Sequence, residues 1–184
     1  MQNRWANQID LITAGFKTQF GSLSAEQLNW KPNPQTWSIA QNIHHLMVIN
    51  QSYYPIVAAV RTGDYKKPFI GKIGFIVNFF GKMLLASVQP DRKRKMKTFP
   101  IWQPDSSAFT STIITEFEAQ QDDLKQLITS SVDLLDNGTI ISSPANKNIV
   151  YKLETAFDII VAHEQRHFEQ AKEVFAAQKK ALGD

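Results

Sequence analysis

Apolar residues recur at three- and four-residue steps along most of this chain, the spacing of helices that bury one face. Trp5, Ile9, Ile12, Phe16 and Phe20 form the first such stripe, which Gly21 should end. Ser22 to Leu28 reads as a turn with a short helical piece, and Lys31-Pro32-Asn33-Pro34-Gln35 as a rigid non-helical connector. Ser38, with Gln41 three residues on, predicts a capped start for a second long helix. Its stripe runs through Ile39, Ile43, Leu46, Ile49 and Tyr53 to about Val60, with Pro55 expected to kink or reset it.

Gly63-Asp64 and Pro68 break the chain, and Ile70 to Val88 predicts a further helix weakened by three glycines. Gln89 to Asp105 reads as a loop. Ser106 or Ser107 is then expected to cap a third long helix carrying Phe109, Ile113, Phe117, Leu124 and Leu127. Asn137-Gly138 and Ser142-Ser143-Pro144 mark another irregular stretch. Thr139-Ile140-Ile141 is the best strand candidate, and it is short. The last helix should begin near Leu153, with Phe157, Ile160, Val161, Phe168, Ala171, Val174 and Phe175 on its apolar face. Four principal helices around one core predict an all-α bundle with extra short helices and long loops, forming one domain over residues 1–184.

Composition narrows the chemistry. Hydrophobic residues are 43% and charged residues 20% of the 184, as in a soluble globular protein. A net charge of +3 is too small to argue for nucleic acid, and no nucleic-acid partner is expected. With no cysteine there is no disulfide, thiolate site or cysteine nucleophile. Met1-Gln2-Asn3-Arg4-Trp5 lacks the apolar run of a signal peptide, and a cytoplasmic location is expected. Phe69 to Val88 is the most apolar region, but Lys72 and Lys82 leave only nine uncharged residues between them, too few to span a bilayer, and no membrane partner is expected. It reads as a buried or partly buried helix, with a lid or dimer contact as the alternative.

The histidines carry the sharpest signal. All four fall in two clusters, His44-His45 and His163-x-x-x-His167. The second pair leaves one helix face a turn apart, the spacing at which two imidazoles grip one divalent cation. A third imidazole would complete a site that leaves positions open for water or substrate, as in working rather than structural centres. His44 and His45 point about 100° apart on a helix, so only one can serve. His45 is favoured, with His44 as a supporting neighbour. The plain alternative has His163 and His167 as core histidines hydrogen-bonded to protein groups.

His163-Glu164-Gln165-Arg166-His167 also fits H-E-x-x-H, in which the glutamate is a general base. The extended protease pattern fails, because Gln170 and Glu173 stand where Gly and His are needed. Glu164 stays a candidate base beside an ordinary surface role. The basic run beginning Arg92-Lys93-Arg94 reads as a solvated loop or as a contact for an anionic cofactor. Trp37 and Trp102 read as packing anchors, with Trp37 placed to help shape a pocket.

Taken in order, Leu23-Ser24-x-Glu26-x-Leu28-x-Trp30-x-Pro32, Trp37-Ser38-Ile39, His45-Leu46 and His163-x-x-x-His167-x-x-Gln170 resemble the DinB-like superfamily across nearly the whole chain. The resemblance implies an up-down-down-up four-helix bundle with a three-histidine site, often holding nickel or zinc. It maps that site onto His45, His163 and His167. Glu169 departs from a glycine frequent in the family, and Arg166 fills a variable place.

Related branches include S-transferases using bacillithiol or mycothiol, a maleylpyruvate isomerase and proteins described as metal-dependent hydrolases. Implied is a metal-dependent enzyme on a small-molecule substrate, activating water or an external low-molecular-weight thiol. The alternative is a non-catalytic metal-binding or stress-response protein of the same fold. A homodimer is compatible with an apolar bundle.

Overall fold

A computed structural model describes residues 2–91 and 98–183. Among them are seven α-helices and one two-stranded hairpin: α1 (Gln2–Phe20), α2 (Ala25–Asn29), α3 (Ile39–Thr62), α4 (Gly74–Val88), α5 (Ile113–Ser130), α6 (Val132–Asp136), β1 (Ile140–Ser143), β2 (Asn146–Lys152) and α7 (Leu153–Leu182). Helices α1, α3, α5 and α7 form the bundle. Each packs on two of the others, α1 and α3 both lying against α5 and α7.

The sequence stripes become the core. Trp5, Ile9, Ile12, Phe16 and Phe20 are all buried, and the Phe16 ring lies 5.0 Å from Phe117 of α5 and 4.9 Å from Phe168 of α7. Burying each such side chain contributes roughly 1.5–3 kcal/mol. Trp5 also donates its indole N–H to Asp158 at 2.8 Å, tying the start of α1 to α7.

Helix α3 carries half of the candidate site, and its start is fixed by chemistry. Ser38 Oγ accepts the Gln41 N–H while the Gln41 side chain accepts the Ser38 N–H, a complete capping box. Helix α3 runs through Pro55 without interruption and stops at Gly63, which takes the left-handed conformation at φ 79°.

Two expectations give way. Helix α5 starts at Ile113, not near Ser106 or Ser107, and Phe109 lies outside it. Asn29 of α2 holds Phe109 by its backbone, accepting its N–H and donating to its carbonyl. Those two bonds satisfy groups that a longer helix would otherwise have used. Ser107 instead donates its N–H to the Asp105 carboxylate in a side-chain turn.

The strand at Thr139-Ile140-Ile141 becomes a hairpin. Ile141 pairs with Tyr151 and Ser142 with Val150, with an irregularity at Ser143. The Tyr151 hydroxyl meets that of Tyr53 on α3 at 2.9 Å.

Helix α4 lies outside the four-helix core, packed on α7 and β2. Gly81 allows the close approach. A Cβ there would stand 3.1 Å from Thr155 Cγ2 and 3.6 Å from Tyr151 Cβ. No helix among the described residues is long and apolar enough to cross a membrane.

Removing the cap should loosen the helix that carries His45. Ser38→Ala is expected to cost about 1 kcal/mol, lowering the melting temperature by roughly 2–4 °C. Thermal unfolding followed by circular dichroism measures it. A variant melting with the parent would show that packing alone sets the start of α3.

Candidate metal centre

One turn into α3, Asn42 and His45 stand three residues apart and therefore on one face. Helix α7 presents His163 and His167 to the same place. Ligand atoms of His45, His163 and His167 all lie within 4.8 Å of one another, a buried group compatible with a metal ion. The His163 and His167 Nε2 atoms are 3.1 Å apart. Nitrogens sharing one ion of zinc-like size stand about 3 Å apart.

The outer nitrogens fix how these rings face. His45 Nδ1 meets the Trp102 carbonyl oxygen at 2.5 Å, and that oxygen can only accept. The proton therefore sits on Nδ1, leaving Nε2 with a free lone pair. His167 Nδ1 meets Asn42 Oδ1 at 2.7 Å. Asn42 in turn donates its amide N–H to the Ser38 carbonyl at 2.9 Å, which fixes its oxygen toward the histidine. This is the arrangement in which supporting groups set the tautomer and aim of metal-binding histidines. Trp37 closes another side, its ring 4.8 Å from His45 and 5.9 Å from His167.

Burial keeps the rings neutral. Desolvation pushes His45 down to about 4, against an upward pull from the Trp102 carbonyl. His163 and His167 are lowered well below the ordinary imidazole range by burial first, then by the cost of a second positive charge among the three rings and by Arg166. Neutral imidazoles are the form that binds metals. Two bare Nε2 lone pairs at 3.1 Å would repel, and a cation or a proton between them relieves this. The donor set fits a divalent ion. As residues, His45 and His167 are buried and His163 is partly exposed.

His44 stands apart. Its Nδ1 accepts the Asp105 N–H at 3.2 Å, and its ring lies 4.9 Å from Phe109. Adjacent histidines thus hold the same loop at Trp102 and Asp105 from two directions.

Glu164 is buried one position beyond His163 and is turned elsewhere. Its Oε1 accepts from the Asn50 amide of α3 at 2.7 Å. Burial raises its pKa to about 7, opposed by the nearby amides of Asn50 and Gln121. Gln121 is close enough to act on that charge, yet its amide atoms and Glu164 Oε2 have no hydrogen-bond partner among the described residues. Glu164 is not part of the three-histidine group.

Arg166 is buried, and its guanidinium donates to the Ser87 and Gln89 carbonyls at the end of α4. Arg92, Lys93 and Arg94, the candidate cofactor contacts, lie outside the described residues.

Asn42 and the Trp102 carbonyl escape a reading of the sequence. The first carried a signal, standing three residues before His45 on its own helix face. A backbone carbonyl carries none.

The sequence profile described as the DinB superfamily matches residues 8–171. Among curated proteins no match is found, and none among solved structures.

Titration of these groups should set how the metal-free protein responds to acid. The folded pKa of His45, about 4, lies below its ordinary 6.5. The unfolded chain therefore binds more protons between those values, and stability falls as pH drops from 6.5 towards 4, on the order of 3 kcal/mol from His45 alone. His163 and His167 act in the same direction. Glu164, raised from 4.5 to about 7, opposes them by holding its proton when folded. Urea unfolding across this range should show the acid-side loss, and Glu164→Gln should steepen it. A flat profile in both proteins would contradict the burial of neutral rings.

Proposed function

Since the chain belongs to the DinB superfamily, we propose that His45, His163 and His167 hold one divalent metal ion in a metal-dependent enzyme acting on a small molecule. The observation that carries this is the convergence of the three rings with two outer nitrogens tied off by Trp102 and Asn42. Zinc and nickel both suit three neutral imidazoles. Bound there, such an ion supplies Lewis acidity that acidifies a water or an external thiol.

The chain's residues do the rest. His45, His163 and His167 orient the reacting group without spending a proton, since burial holds them neutral. Trp37 and the Trp102 segment wall the site and exclude bulk water. Glu164 is engaged by Asn50 and does not stand among the three rings, so its use as a general base would require it to turn. That favours activation of an external thiol over hydrolysis. A thiol already near its ionisation range needs less help from a protein base than water does. The absence of cysteine means that the thiol comes from a cosubstrate.

Metal content after purification without a histidine tag is the first measurement. His163→Ala should empty the site, while His44→Ala should leave most of the metal in place. Asn42→Ala should weaken affinity roughly 10- to 100-fold while retaining the ligands. A site emptied by His44→Ala would mean that the ligand set is different.

Metal-loaded protein is then offered low-molecular-weight thiols with electrophiles, and separately esters and amides. Turnover in the thiol panel alone, lost on removing the metal, is the expected result. Turnover of the esters or amides instead would make it a hydrolase. Metal retained with no turnover in either panel would leave a non-catalytic metal-binding protein.

A further inference from the structure

Helix α4 turns Val77 and Gly81 inward and leaves its outer side bare of acid. Phe75 is 75% exposed, Phe79 61% and Met83 42%, one above another at four-residue steps. Phe69, in the 3-10 turn just before α4, is 74% exposed. An isolated exposed apolar side chain is ordinary on a protein surface, but four large ones in and beside one short helix are not.

Charge frames the same face. From residue 65 to residue 90 the chain has four lysines and no aspartate or glutamate. Lys66, Lys67, Lys72 and Lys82 are all exposed. Lys72 lies over the Phe69 ring, 5.7 Å from its centre, and Lys82 sits beside Met83 on the outer side of α4. The whole chain has a net charge of +3, so the residues outside this segment sum to −1. Lys82 thus shares the outer side of α4 with the apolar stripe, and Lys72 stands beside Phe69 just before it.

We propose that the outer face of α4, with the Phe69 turn, docks on the surface of an anionic lipid bilayer. An aromatic stripe edged by lysines in a helix lying flat is the chemistry of the headgroup boundary. The rings enter the acyl edge and the ammonium groups stay with the phosphates. A second copy of the chain fits less well. A two-fold axis through this face would bring the same lysine-edged surface together with itself, with no acid in the segment to offset the charge. The expectation that no membrane partner exists rested on the lack of a spanning segment, and a helix lying on the surface does not need one.

Full-length protein is mixed with vesicles of phosphatidylcholine alone and of phosphatidylcholine with phosphatidylglycerol, then sedimented. The wild type should follow the anionic vesicles, leave the neutral ones, and be released as salt rises. Phe75→Ser with Phe79→Ser should lower partitioning roughly tenfold or more. Lys72→Glu with Lys82→Glu should do the same. All four side chains are exposed, so the variants should keep the parent melting temperature.

Failure to bind anionic vesicles overturns the proposal. So does binding that neither double variant weakens, because another surface would then be responsible. A dimer in sedimentation velocity that Phe75→Ser with Phe79→Ser dissolves, without vesicle binding, would instead make this face a contact between copies.

Discussion

Keeping three imidazoles uncharged inside a packed bundle is the constraint from which the rest of the centre follows. A buried ring must place both of its nitrogens, and an unpartnered one is costly. For His45 and His167 the outer nitrogen is settled by the Trp102 carbonyl and by Asn42. Settling it fixes the tautomer, and the tautomer decides which lone pairs converge. Ser38 sits at the base of this chain of dependence. Its side chain starts α3, and its carbonyl holds the amide that orients His167. Helix initiation and site geometry are thus handled by one residue.

Helix α7 shows how a single helix can separate two kinds of chemistry. His163 and Glu164 are neighbours in sequence, but a rotation of about 100° sends their side chains to different companions. One joins the imidazole group. The other is buried beside Asn50 and Gln121, where desolvation outweighs those amides and raises its pKa to about 7. The match to H-E-x-x-H is therefore a match of letters whose geometry puts the acid elsewhere.

Much of this was legible because helices write their packing into sequence at a fixed period. The α1 stripe from Trp5 to Phe20, the capping box at Ser38 and the start of α7 at Leu153 all follow from local rules. The two-cluster histidine pattern, with the DinB-like motifs around it, marked the three rings that come together. Other features depended on distant partners. Phe109 has the right spacing for α5 but is held by Asn29, eighty positions earlier in the chain. The polar residues Asn146 to Asn148 hide a strand that exists because Ile140 to Ser143 folds back to pair with it. Helix α4 read as buried or partly buried, and it is partly buried, with Phe75 and Phe79 facing out. Composition alone does not say which side of a helix finds a neighbour.

Trp37 leans on two of the three imidazoles, its ring 4.8 Å from His45 and 5.9 Å from His167. An indole at that range is a built-in optical probe. Its emission senses whether those rings are free, protonated or drawn onto an ion, and a paramagnetic ion such as nickel would quench it where zinc would not. Loading with an added ion can therefore be tested in the unlabelled protein by tryptophan emission, read against Trp5, Trp30 and Trp102.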